Sequence, residues 1–75
     1  MTERFAEVIL DTSINKLLDY SIPENLLNSI KPGMRVEVPL RGFFCRGYIF
    51  TLKKETKVNP IKPISKIFSE EIRHL

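Results

Sequence analysis

Apolar and polar positions alternate with a period of two through much of the chain. Leu18, Tyr20 and Ile22 alternate with Asp19 and Ser21, the pattern of a strand with one buried and one wet face. Pro23 ends that run because it has no N–H for a ladder. A second row places Met34, Val36, Val38 and Leu40 opposite Arg35, Glu37 and Pro39. Pro39 argues for an edge position or the end of regular pairing. Phe5–Leu10 is a short apolar run with β-branched members, read as a mostly buried first strand. The second strand is expected over Leu17–Ile22, after the polar break Asp11-Thr12-Ser13 and the lead-in of Asn15 and Lys16. A fourth runs from Cys45 to Leu52, where Gly47 marks a bulge or the close approach of another backbone. A fifth spans Ile61 to Phe68, interrupted by Pro63, with Lys62 and Lys66 flanking its apolar residues.

The connections carry their own signals. Leu26, Leu27 and Ile30 suit a single helical turn that plugs one end of a barrel. Lys31-Pro32-Gly33-Met34 reads as a tight turn, with Pro32 presetting φ and Gly33 free to take φ > 0. Arg41-Gly42-Phe43-Phe44 reads as a loop, and Lys53, Lys54 and Lys57 belong to a polar connector ending at Asn59-Pro60. Ser69-Glu70-Glu71-Ile72 is a capped helix start. The chain stops at Leu75 with that helix barely begun, so residues 69–75 read as a truncated helix and 1–75 as one module from the N-terminal part of a longer protein. The expected fold is mostly β. It is a small OB-like or SH3-like partial barrel of about five strands, with a short helical turn and the start of a C-terminal helix.

Composition narrows the function classes. Seventy-five residues make one small domain, and 43% hydrophobic with 28% charged residues is globular rather than disordered material. No apolar run reaches the length of a membrane span, so no membrane partner is expected. The N-terminus lacks the basic and apolar regions of a signal peptide. Cys45 is the only cysteine, which excludes an internal disulfide and any multi-cysteine zinc site. A cytoplasmic location follows as an expectation. No phosphate loop, Cys/His cluster or nucleophilic triad is present, so neither a catalytic residue nor a metal ligand is assigned; Cys45 reads as an inert thiol and His74 as a surface residue. The net charge of +3 is polarised: residues 1–30 carry −3 and residues 31–75 carry +6. Such a domain can present a basic stripe to an acidic partner such as nucleic acid. Asp19 is the odd member of its strand; the plain reading is a surface acid, or one bonded to a nearby turn.

The ordered set of Leu18-Asp19-Tyr20-Ser21-Ile22-Pro23, Lys31-Pro32-Gly33-Met34-Arg35-Val36-Glu37-Val38-Pro39, Arg46-Gly47-Tyr48-Ile49 and Ile61-Lys62-Pro63-Ile64 resembles a known domain. It looks like the N-terminal domain of the PriA family, the bacterial replication-restart helicases also called primosomal protein N′, over roughly residues 5–68. The resemblance implies recognition of the 3′ end of a DNA strand at a stalled fork, with little regard for the base. Carried over by position, it implies a pocket of Leu18, Asp19, Tyr20, Arg41, Gly42 and Lys62. Leu18 stands where the family usually has Phe. Arg41 stands where the family usually has Gly and Gly42 follows, so the close backbone approach to the nucleotide is either shifted by one residue or lost. ATP, magnesium, zinc and ATP-dependent 3′–5′ helicase activity are implied only for domains absent from these residues. Other domains of the parent and primosome proteins are implied partners.

The residue chemistry suits that implication. A carboxylate repels phosphates but accepts strongly from a hydroxyl, so Asp19 is expected to take the terminal 3′-OH and to reject a 3′-phosphate by like charge. Tyr20 is read either as core or as packing on the sugar or base. Lys62 would neutralise a phosphate, and Arg41, Arg46, Lys53, Lys54 and Lys57 are candidates for further backbone contacts. Two alternatives stand beside this reading. One is a protein-interaction module docking through Phe43 and Phe44. The other is a generic OB-like single-strand binder, which the few aromatics expected on the polar strand faces count against.

Overall fold

The computed structural model describes residues 3–11 and 16–68. The expectations placed on residues 12–15 and 69–75, including the helix start and His74, lie outside the described residues. Five strands, β1 (Phe5–Leu10), β2 (Leu17–Ser21), β3 (Arg35–Leu40), β4 (Phe43–Lys53) and β5 (Lys66–Ile67), form one antiparallel sheet in the order β2-β1-β4-β3-β5. The expected mostly β fold holds, as a curled sheet that does not close.

The period-two pattern decides which face turns inward. Ala6, Val8 and Leu10 of β1, Tyr20 of β2, Val36 and Val38 of β3 and Ile49 of β4 are all buried in one core. Burial of each valine or isoleucine contributes about 1.5–3 kcal/mol. β1 is therefore half-buried and not the mostly buried run expected: Phe5, Glu7 and Ile9 lie on its outer face and are only partly covered. A short 3-10 turn at Glu24–Leu26 leads to Ile30, which is buried, and Leu26 and Leu27 pack partly against the core. The tight turn forms as read, with Gly33 at φ 91° and the Met34 amide donating to the Lys31 carbonyl.

Two expectations change, and the alternative left at Gly47 is decided. β4 begins at Phe43 rather than Cys45, because Arg41 and Gly42 both take positive φ (51° and 83°) and close a two-residue hairpin that pairs Leu40 with Phe43. Gly47 is not the bulge. A Cβ there would lie 2.6 Å from the Ile9 carbonyl oxygen and 2.7 Å from Val8 Cγ1, so it marks the close approach of β1. The register shift lies further along, where Glu7 faces Thr51, Val8 faces Ile49 and Phe50 is left without a partner. The expected strand over 61–68 shrinks to Lys66–Ile67. Pro63 has no N–H, and the segment crosses from one end of the sheet to the other. The Ser21 amide donates to the Lys62 carbonyl and Ile64 donates to the Ser21 carbonyl. Further on, Ser65 donates to Glu37 and Phe68 to Arg35. Residues 61–68 thus tie the β2 edge to the β3 edge across an otherwise open seam.

Candidate nucleic-acid interface

The seam is where the predicted residues meet. A cleft of about 250 Å³ is lined by Leu18, Asp19 and Tyr20 of β2, by Pro39, Leu40 and Arg41 at the β3–β4 hairpin, and by Val58, Pro60 and Lys62. Five of the six residues assigned to an end-binding pocket therefore share one wall. The sixth, Gly42, does not line it. A Cβ at Gly42 would meet nothing within 4 Å, so its requirement is the positive φ alone. Arg41 takes the same left-handed backbone, which costs a residue with a Cβ about 1–2 kcal/mol. That conformation keeps the hairpin at two residues, and Arg41 remains exposed at the rim.

Tyr20 is core and pocket wall at once. Its ring is buried, and its hydroxyl donates to the Pro39 carbonyl at 2.9 Å, fixing the two sides of the seam to each other. Burial, then the nearby Cys45 thiol, pushes the phenol above its ordinary value. Pro39 lies past the two residues of β3 that pair with β5, so the end of β3 is a free edge, as its ring requires.

Asp19 departs from the plain surface reading. Its side chain is 8% exposed, although it stands on the outer face opposite Glu7. Lys53 Nζ donates to both carboxylate oxygens at 3.0 Å, and the Thr56 hydroxyl donates to Oδ2. Burial pushes the carboxyl up. The Thr56 and Lys53 hydrogen bonds and the Lys53 charge outweigh it and hold the group below its ordinary value. Asp19 is thus an ionised acceptor pinned from one side. It also walls a second hollow of about 350 Å³ with Lys53, Glu55, Thr56, Lys57 and Val58. Asp19 and Val58 line both hollows.

The outward main-chain groups at Asp19 meet no backbone partner among the described residues. The Ile22 amide donates to Arg4, which sets the alternation of β2 against β1 and turns the N–H and C=O of Ser21 and Asp19 toward the outer edge. Ser21 spends both groups on Lys62 and Ile64; those of Asp19 meet no main-chain partner among the described residues.

The remaining cations are scattered. Lys62 and Arg41 are exposed on the cleft and form no ion pair among the described residues. Lys53, expected as a free backbone contact, is committed to Asp19. Lys57 lines the second hollow and Lys54 is exposed beside it. Arg46 lies elsewhere, on the outer face of β4, with its guanidinium 5.0 Å from the Phe68 ring centre. Another hollow, about 390 Å³ between Pro23–Leu26 and Ser65–Phe68, contains none of the predicted residues. What the sequence did not reveal is the pair Lys53 and Thr56 as holders of Asp19. They lie 34 and 37 residues away, and no local pattern signals the contact.

A curled, unclosed β sheet with a small cation-rimmed cleft at its seam defines a nucleic-acid-binding module. A family model described as a 3′ DNA-binding domain (3′BD) of PriA matches residues 7–73. The chain is 43% identical over 68 residues to the replication restart protein PriA of Chlamydia pneumoniae, a match covering 91% of this chain and 9% of that protein. It is 33% identical over 79 residues to the protein of the same name from Bacillus subtilis, covering 91% of this chain and 10% of that one. A 37-residue match to the Chlamydia trachomatis protein reaches 51% and covers 49% of this chain and 5% of that one. The chain spans about a tenth of the length of the first two relatives. This chain belongs to the 3′ DNA-binding domain family of PriA.

Proposed function

We propose that this domain reads the 3′-hydroxyl end of a DNA strand at an interrupted replication fork, without regard to the terminal base. The observation that carries the reading is the pinned Asp19 carboxylate on the wall of a cleft it shares with Leu18, Tyr20, Arg41 and Lys62. A carboxylate offers about four lone-pair sites. Lys53 and Thr56 use three of them, which leaves acceptor capacity for a hydroxyl. A 3′-phosphate meets like charge there, and an interior nucleotide has no free hydroxyl to give. Every 3′ terminus carries the same hydroxyl, so this contact is blind to sequence. The outward main-chain donor and acceptor at Asp19 add contacts that any base or sugar edge can use.

The cleft is at the small end of ligand clefts, which run from about 300 Å³ upward. It suits one terminal nucleotide rather than a run. Lys62 and Arg41 at the rim supply positive charge for the phosphate behind that nucleotide. Replication-restart helicase activity, with its ATP, magnesium and zinc, belongs on this reading to other domains of the parent, and this domain delivers them to the end of the strand.

The test is fluorescence anisotropy with two short DNAs of one sequence, ending in a 3′-hydroxyl or a 3′-phosphate, at two salt concentrations. A clear preference for the hydroxyl supports end reading. Equal, salt-sensitive binding reduces the domain to a general DNA binder and removes Asp19 from the mechanism.

A further inference from the structure

The outer face of β4 is unlike an ordinary solvated strand face. Phe44, Arg46 and Tyr48 follow one another at every second position, and Phe50 is set outside by the register shift beyond them. Phe44 is 67% exposed, Tyr48 41% and Phe50 55%. The few aromatics expected on the polar faces are therefore a miscount: they are gathered on one strand. Cations lie close to the rings of this surface. Arg35 is 5.4 Å from the Tyr48 ring centre and donates to its hydroxyl at 3.1 Å, and both Arg46 and Lys66 cover Phe68. Facing them, Glu37 is the one acid in the cross-strand row of Arg46 and Lys66, so the patch stays positive.

We propose that this face is a stacking track for the nucleotides that precede the 3′ terminus in the same DNA strand. Phe44 and Tyr48 lie four residues apart with Arg46 between them, about 13 Å along the strand, a spacing that sets each ring to take a separate, splayed base. Stacking on rings with guanidinium groups between them is the sequence-tolerant way to hold a single strand. The track is continuous with the cleft. Pro39 lines the cleft, and Phe44 is its direct cross-strand partner, two residues past the Arg41–Gly42 turn. A strand whose end lies at Asp19 would leave over Arg41 and Pro39, meet Phe44 first, and run on past Arg46 to Tyr48. Positive charge between the rings favours a polyanion over an apolar protein surface as the occupant.

This inference rests on the end-reading proposal, and the test separates the two. The full 75-residue chain is titrated with a thymidine dinucleotide and a thymidine hexanucleotide, each with a 3′-hydroxyl or a 3′-phosphate. The hydroxyl preference on the dinucleotide reports the cleft alone. The gain in affinity from dinucleotide to hexanucleotide reports the track. Phe44→Ala and Tyr48→Ala are each expected to lower hexanucleotide affinity about tenfold and to leave dinucleotide affinity within about twofold. The chain has no tryptophan, and Tyr20 walls the cleft that both DNAs fill, so the tyrosine quenching that the hexanucleotide adds beyond the dinucleotide is expected to report Tyr48. That quenching should persist in Phe44→Ala and vanish in Tyr48→Phe. A hexanucleotide bound no more tightly than the dinucleotide overturns the track even where the hydroxyl preference is intact. So does an unchanged hexanucleotide affinity in both alanine variants.

Discussion

Ser21 and Asp19 are two residues apart on one edge strand, and the fold treats them in opposite ways. Both turn their main-chain groups outward, away from β1. At Ser21 the edge is sealed: Lys62 and Ile64 take up its N–H and C=O, and the Ile64 side chain is buried in the core. At Asp19 the edge has no main-chain partner among the described residues, and its side chain is instead held by Lys53 and Thr56. An open strand edge invites pairing with other chains, and proteins blunt it with charge, proline or cover. Here cover protects one end of the edge, while charge and a cleft occupy the other. Cover and cleft divide a strand of five residues between them.

The largest effect should come from breaking the sealed end. Ile64 is 1% exposed and anchors the segment that bridges the two edges of the sheet. Ile64→Ala is expected to cost about 2–5 kcal/mol, read as a lower midpoint in urea unfolding. An unchanged midpoint would mean that residues 61–64 merely rest on the sheet. At the Asp19 end the effect should be on binding. Asp19→Ala removes a charged acceptor, and hydrogen bonds to charged groups are worth about 1.5–3 kcal/mol. The preference for a 3′-hydroxyl over a 3′-phosphate should therefore fall by about tenfold or more, while weak general DNA binding survives. A preference that persists in the variant would place the end elsewhere. Lys62→Ala touches the rim only. It should weaken binding at every sequence and lower the slope of log affinity against log salt by about 0.7, the share of one single-strand phosphate. An identical slope makes Lys62 a bystander whose contribution is its main-chain carbonyl to Ser21.

Those three substitutions also show what the sequence could reveal. The alternation through Leu18–Ile22 and Met34–Leu40 placed the core residues correctly, because burial on a strand has a period of two and needs no partner to be visible. The Pro32–Gly33 turn was equally legible, since each residue's φ is a local property. The partners of Asp19 were not. Its carboxylate is held by residues more than thirty positions away, brought there by the β1–β4 pairing and by the path of the connector after β4. Proline likewise misled at 61–68. Pro63 was taken as an interruption in one strand, whereas it marks the crossing between two sheet edges. Two of the exposed rings of β4 were hidden by a different cause, while Tyr48 and Phe50 lay within the expected strand. Phe43 and Phe44 looked like loop residues until two left-handed residues shortened the turn before them and drew them into the ladder.

The smallest effect concerns acid, and it separates the two ends cleanly. Burial alone would raise the Asp19 carboxyl, but Thr56 and Lys53 hold it below its ordinary value of 3.8. A carboxyl depressed in the folded state binds its proton more readily when unfolded. Its contribution to stability is therefore complete above the unfolded value and drains away as pH falls through the lower, folded one. Asp19→Asn should be less stable than the parent chain near neutral pH, and the two should converge as the solution is acidified below 3.8. Chemical denaturation across that range measures the difference directly. Ile64→Ala provides the contrast, because a buried aliphatic side chain carries no proton. Its deficit should stay nearly constant over the same range. Parallel profiles for parent and Asp19→Asn would show that the Lys53 and Thr56 contacts add nothing to the folded state. Asp19 would then be held in place by the strand alone.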